Sequence, residues 1–341
     1  MPTVERGVSD ALLDQRLAPS ARFISGRIAR HNQRRPFPAE SISPMLKEIA
    51  IVTIVVTNLG QVVSAWQEFF GYEVADRGVV SAELAELWNA GEMQAHEYAI
   101  LQPANAAPVY IRFVEDEAAA GYRPMTSWGW NATELLLRDT DAVAASLADS
   151  GLDIVGAPKD LWPAPDAPRA MQVLGAGNEL LYLTTNTQAA SALNLDDTMP
   201  LVERAFIMVV GGPSMEALQG FYGEQLKLRV DPPSDFKISM ISKANNLPLD
   251  TTYLLSIAHA APGYLIELDE MPASVGPRAT TEGHLPPGIA IVGFNSDGIE
   301  AMVDWVSGPV VMQEFPYNGR KVALISGAIG ELVEVILPPD D

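Results

Sequence analysis

Two glutamates, an arginine and a histidine are the side chains in this sequence best suited to acid–base work. Glu267 ends the strand-like run GYLIELDE, and Glu334 holds the matching place in GELVEVIL. Two carboxyl groups held close together share a proton, and one of them then titrates at higher pH. Such a group can remove a proton alpha to a carbonyl. Arg204, in LVERAFIMVVGG, could bind a carboxylate or stabilise an enolate oxygen. His259, at the end of TTYLLSIAH, could act as acid, base or metal ligand. Each has a structural alternative: solvated strand-end glutamates, an Arg204 paired with one of them, and a His259 exposed where its strand turns. Glu267, Glu334, His259 and water could also hold one divalent ion of intermediate hardness. The motifs HxH and HExxH are absent, so the cofactor expectation is none, or one divalent metal ion.

A second polar set lies earlier in the chain: His96, Tyr98, Arg112, Glu134, Glu179 and Tyr182. Arg112 interrupts the apolar run PVYIRFV. Pointing inward, it needs a partner or an anionic ligand, because a lone buried charge is costly. Pointing outward, it forms a surface salt bridge. Strand alternation puts Tyr110 on its side. Trp128 and Trp130 could wall an aromatic ligand or pack in the core. His284 lies in MPASVGPRATTEGHLPPG, a stretch that reads as a flap over a pocket or as a surface connection. Two glycine-rich stretches are set aside. GAGNE at 175–179 has no helix after it and reads as a hairpin turn. GGPS at 211–214 precedes a helix but lacks the lysine and spacing of a phosphate-binding loop.

The elements that must position these residues recur in a fixed order: a β-rich run, a helical segment, then three more strand-like runs. KEIAIVTIVVTN at 47–58 opens the first copy. Val62, Trp66, Phe69 and Phe70 then share one helical face, which Gly71 is placed to end. HEYAILQP and PVYIRFVED complete that copy. WNATELLLRDTD opens the second, with a helix ended by Gly151 and a hairpin over 168–186. LVERAFIMVVGG opens the third, and FKISMIS, TTYLLSIAH and GYLIELDE are its later strands. PPGIAIVGFNSDG opens the fourth, GIEAMVDWV is its short helix, and VVMQEFPY, RKVALISG and GELVEVIL follow.

Composition limits the options. The chain has 341 residues, of which 48% are hydrophobic, enough for two substantial cores. A formal charge of −21 repels nucleic acid and anionic lipid. No cysteine is present, which excludes disulfides, thiolate metal sites and cysteine nucleophiles and fits a reducing compartment. No run reaches the ~18 apolar residues that span a bilayer, and no signal-type stretch opens the chain. Residues 1–35 carry Arg6, Arg16, Arg22, Arg27, Arg30, Arg34 and Arg35. They read as a basic helical arm packed on the acidic body or a second subunit, or as a partner-binding arm.

The stretches WQEFFGYEV, LQGFYGEQLKLRV, GYLIELDE and GELVEVIL resemble the vicinal oxygen chelate superfamily. That superfamily includes glyoxalase I, bleomycin-resistance proteins, methylmalonyl-CoA epimerase and extradiol dioxygenases. The resemblance covers roughly 47–337 and implies an α+β fold of four βαβββ modules, paired into two cupped mixed β-sheets. It also implies metal ligands on the first and last strands of the modules. Those positions fall near Ile51, Ala132, Arg204 and Ala290, and at Arg112, Tyr182, Glu267 and Glu334. None of the first-strand positions is histidine. The implied organisation is an arm over 1–46, modules 1 and 2 over 47–186, a linker over 187–200, and modules 3 and 4 over 201–341. If modules 3 and 4 pair, Glu267 and Glu334 share one cavity with Arg204. The expected function is then an isomerase or lyase using carboxylate acid–base chemistry on a carboxylated or aromatic metabolite. Two alternatives stand beside it: a metal-dependent dioxygenase or glyoxalase-like enzyme with atypical ligands, and a non-catalytic binding or resistance protein. A small-molecule partner, no nucleic acid, no membrane, a cytoplasmic location and a homodimer complete the expectation.

Overall fold

The computed structural model describes residues 45–298 and 305–339. The basic arm and most of the helix expected at GIEAMVDWV lie outside the described residues. Module 1 comprises β1 (Ile49–Val56), α1 (Leu59–Phe70), β2 (Tyr72–Val79), α2 (Ala82–Leu87), β3 (Glu97–Pro103) and β4 (Tyr110–Glu115). Module 2 comprises β5 (Gly129–Leu137), α3 (Thr140–Leu147), β6 (Asp153–Asp160), β7 (Arg169–Leu174) and β8 (Leu180–Thr185). After α4 (Thr187–Ala192), module 3 follows as β9 (Val202–Gly212), α5 (Met215–Gln219), β10 (Arg229–Val230), β11 (Ser234–Phe236), α6 (Ser239–Ala244), β12 (Tyr253–His259) and β13 (Leu265–Glu270). Module 4 supplies β14 (Gly288–Asn295), β15 (Trp305–Met312), β16 (Arg320–Ser326) and β17 (Leu332–Ile336).

Local sequence explains the first helix well. Asn58 caps it by accepting from Gln61 N–H, and Gly71 closes it at φ 67°, a left-handed backbone that glycine adopts without strain. Two readings change. FKISMIS alternates like a strand, yet α6 begins at Ser239. Met240, Ile241 and Ala244 follow helical spacing and pack on one apolar cluster, so tertiary burial decides that segment. The second helix of module 1, α2, is not visible as a separate element in the repeat pattern.

Pairing is the main surprise. The strands form two mixed sheets, ordered β15-β16-β17-β14-β1-β4-β3-β2 and β10-β12-β13-β9-β5-β8-β7-β6. Module 1 therefore joins module 4, and module 2 joins module 3. The halves 47–186 and 201–341 do not each build a sheet, as a pairing of 3 with 4 requires. First strands meet antiparallel in both sheets: Ile54 opposite Ile289, and Glu134 opposite Ile207. The largest core lies on one face of each sheet. It contains Val52, Ile54, Trp66 and Phe70 from module 1, and Leu135, Leu147, Met208 and Leu218 from modules 2 and 3. Alternation then sends the other face of each strand into a concave cup.

The sheets are stitched by a repeated device. GAGNE (175–179) and GAIGE (327–331) are matching hairpin turns, closed by Gly175 N–H to Glu179 O at 2.8 Å and Gly327 N–H to Glu331 O at 2.7 Å. Each glutamate folds into its own turn, where a Cβ on Gly175 or Gly327 would sit within about 2 Å of carboxyl atoms. Each also accepts a ring donor from the other sheet's helical segment: Trp66 Nε1 to Glu179 at 2.7 Å, and Tyr222 OH to Glu331 at 3.0 Å. Burial lifts Glu331 to about 7 and raises Glu179 as well.

Candidate functional site

The four residues expected to converge do not meet. Glu334 lies on β17 of the first sheet, whereas Glu267 lies on β13 of the second. Arg204 is on β9, five residues from Val209, which is the neighbour of Glu267. That spacing is about 16 Å at ~3.3 Å per residue. Its guanidinium is spent on Glu203, with Nε at 2.7 Å from Oε1, and Glu203 also accepts from Asn105. His259 Nε2 lies 2.8 Å from Asp231 at the sheet edge. The structure therefore does not bring Glu267, Glu334, Arg204 and His259 together as one isomerase site, nor Glu267, Glu334 and His259 as one metal set. The cause is module pairing, which only long-range strand register decides.

The first cup is filled by the protein itself. Arg112 on β4 and Glu334 on β17 occupy equivalent last-strand positions, and both are 0% exposed. Arg112 donates through both terminal nitrogens to Tyr317 OH at 3.2 Å, and Tyr317 donates to Glu334 Oε2 at 2.9 Å. Trp88 Nε1 donates to Glu334 Oε1 at 2.8 Å. The guanidinium sits 5.2 to 5.9 Å from the ring centroids of Trp88, Tyr98 and Tyr317. Such packing suits a desolvated cation. Gly293 leaves room for this arrangement, because a Cβ there would approach Glu334 Oε2 to 3.1 Å. Leu84, Leu87, Met93 and Leu285 close over the network. The inward reading of Arg112 holds, and its partner is internal. A metal does not fit here, since a fixed positive charge already occupies the cup.

The second cup carries acids instead. Along β13, Glu267 and Asp269 alternate with Ile266 and Leu268, which enter the central core. Both acids therefore point into the cup. Glu134 enters it from β5, opposite Tyr182 on β8. Asp269 is 0% exposed, and neither carboxyl oxygen has a partner among the described residues. Burial raises Asp269 to about 8 and Glu134 to about 7. Burial also raises Glu267 well above the carboxylate range, reinforced by the charges of Asp269 and then Glu134. Tyr182 is raised by burial first and by the three acids next. Met125, Val209, Ile241, Tyr253 and Met271 form the apolar walls, with Trp128 and Leu255 packed beside them. Glu267, Tyr182 and Trp128 keep partial exposure and mark the mouth. Trp130 instead packs in the central core and donates to Leu332 O at 2.9 Å.

Glu134 and Asp269 complete a site that the sequence showed only in part. The available signal was acid at period two in LIELDE and a lone acid inside the apolar strand NATELLL. Elsewhere, a cleft of about 290 Å³ opens beside Tyr110, Tyr317 and Arg320. The Arg320 nitrogens there are engaged by Asn295 and the backbone oxygens of Pro316 and Tyr317.

Comparison with solved structures fixes the class of fold. Glyoxalase I from Zea mays superposes with a TM-score of 0.57 at 12% identity, covering 85% of this chain and 92% of that one. A Bacillus subtilis protein assigned as a dioxygenase superposes with a TM-score of 0.56 at 9% identity, covering 87% of each chain. The chain has the vicinal oxygen chelate fold, in its four-module form. No protein-family model matches the sequence. No curated protein matches it either. Among the described residues, no helix is long and apolar enough to cross a membrane.

Proposed function

We propose that the second cup is a small-molecule site that moves a proton with carboxyl groups, in an isomerase or lyase reaction. The observation that carries this reading is Asp269, fully buried with neither oxygen partnered among the described residues, beside Glu267 and facing the same cup as Glu134. A carboxyl held near neutrality matches the pH at which it must both take and return a proton. Asp269 is assigned as the base and Glu134 or Glu267 as the acid that meets the developing oxygen charge. Tyr182 and Trp128 orient the substrate at the mouth. With Arg204 elsewhere, a carboxylated substrate loses its expected anchor. The better fit is an uncharged or cationic compound bearing an acidic C–H next to a carbonyl, which avoids placing an anion among three acids. The setting proposed with it is the cytoplasm, as a monomer or homodimer.

The test is carbon–deuterium exchange in D2O, followed by proton NMR over a panel of uncharged and aminated α-hydroxycarbonyl compounds. Wild-type protein should exchange the C–H of at least one class, and Asp269→Asn should slow it by about 100-fold or more. Exchange that survives Asp269→Asn intact, or that is lost with Arg112→Met rather than Asp269→Asn, moves the chemistry out of this cup.

A further inference from the structure

Outside both cups, three side chains distant in sequence meet at the rim of module 1: His96, Asp116 and His284. Each offers one ligand atom, and these atoms all lie within 4.8 Å of one another. The sequence contains four histidines, and two of them are in this cluster. His96 precedes β3, Asp116 follows β4, and His284 belongs to the 271–287 connection that leads into module 4. We propose that they bind one divalent transition ion of the zinc, iron(II) or nickel type, for which two imidazoles and a carboxylate are a suitable donor set.

The surroundings prepare the ligands. His96 Nδ1 lies 2.7 Å from the backbone oxygen of Glu115. A carbonyl can only accept, so Nδ1 carries the proton and Nε2 presents its lone pair. Ala95, just before it, sits at φ 67°. That left-handed backbone is disfavoured for alanine, and hydrogen bonds between Val80 and both Ala95 and His96 hold it there. Asp116 is 4% exposed. Its Oδ1 receives Ala118 N–H at 2.9 Å, and its Oδ2 lies 2.7 Å from His284 Nδ1. One proton bridges that last contact, and a divalent ion replaces it with a stronger link. The connection is already strapped down at this point. Glu92 N–H donates to Gly283 O at 3.0 Å, and Leu285 is buried in the first cup. A bound ion would therefore pin the connection between modules 3 and 4 onto module 1, and close the first cup from above.

The probe is zinc, added to the full chain after chelation and dialysis. Isothermal titration should give one tight equivalent, with a rise in melting temperature on saturation. His96→Gln and His284→Gln should each weaken zinc binding by about 100-fold. Circular dichroism should match the wild type, since both histidines lie at the rim. The proposal is overturned if wild-type protein binds no stoichiometric zinc. It is equally overturned if the double variant His96→Gln/His284→Gln binds zinc as the wild type does. Neither outcome bears on the carboxyl chemistry of the second cup, which deuterium exchange reads separately.

Discussion

The two cups start from one plan and end in opposite electrostatic states. Each is floored by the last strands of two modules, and each carries acid at a last-strand position. In the first, Glu334 accepts from Tyr317 and Trp88, and Tyr317 links it to the Arg112 cation, so the buried acid is answered by a buried base. In the second, the charges of Asp269 and Glu134 both act on Glu267, and Asp269 has no partner among the described residues. A duplicated scaffold has thus put a structural polar plug in one cup and unneutralised acid in the other. Unmatched buried charge lowers stability, and it is tolerated where it serves chemistry.

The largest effect is expected from removing the plug in the first cup. Arg112→Ala leaves Glu334 buried without its counter-charge and opens a cavity among three rings. The expected loss is ~3–5 kcal/mol in urea denaturation. Arg112→Ala with near wild-type stability would mean that the first cup is not held by the Arg112–Tyr317–Glu334 chain.

An effect with the opposite sign is expected in the second cup. The folded Asp269 carboxyl is raised to about 8 by burial, above an unfolded value of about 4. The folded state therefore binds the proton more tightly. Its contribution to stability is complete below about pH 4 and is lost as pH rises through about 8. Asp269→Asn removes that dependence. At about pH 9 the variant should be more stable than wild type by up to ~5 kcal/mol, and at about pH 4 the two should converge. Parallel melting curves for the two proteins across this range would contradict an unmatched acid in the cup.

The smallest effect separates the cup from its edge. His259→Gln breaks only the partly exposed contact with Asp231, and should change stability by less than ~1 kcal/mol. Deuterium exchange should be unchanged. A large loss of exchange would bring His259 back into the chemistry and extend the site to the end of β12.

Much of the scaffold was readable from local pattern. The βαβββ repeat, α1 with its Gly71 stop, and the GAGNE turn all follow from period, capping and turn chemistry within a few residues. The inward direction of Arg112 was readable only as one of two options, because alternation names a face and not which face is buried. α2 and Trp88 escaped because a six-residue helix carries too little periodicity to stand out. α6 was misread because FKISMIS satisfies period two locally, while helical burial of Met240 and Ile241 wins in three dimensions. Asp269 was within sight as the second acid of LIELDE, but its lack of partners is a property of its neighbours across the cup.

By itself, the sequence determined the number and type of modules, the acid at the last strands of modules 3 and 4 and the absence of thiol chemistry. These are local properties, set by side-chain period and composition. Tertiary structure alone decided that module 1 joins module 4 and module 2 joins module 3, which separates Glu267 from Glu334 and gives Arg112 its partner. Strand partners are chosen by burial and register over long stretches of chain, and no short window of residues records that choice.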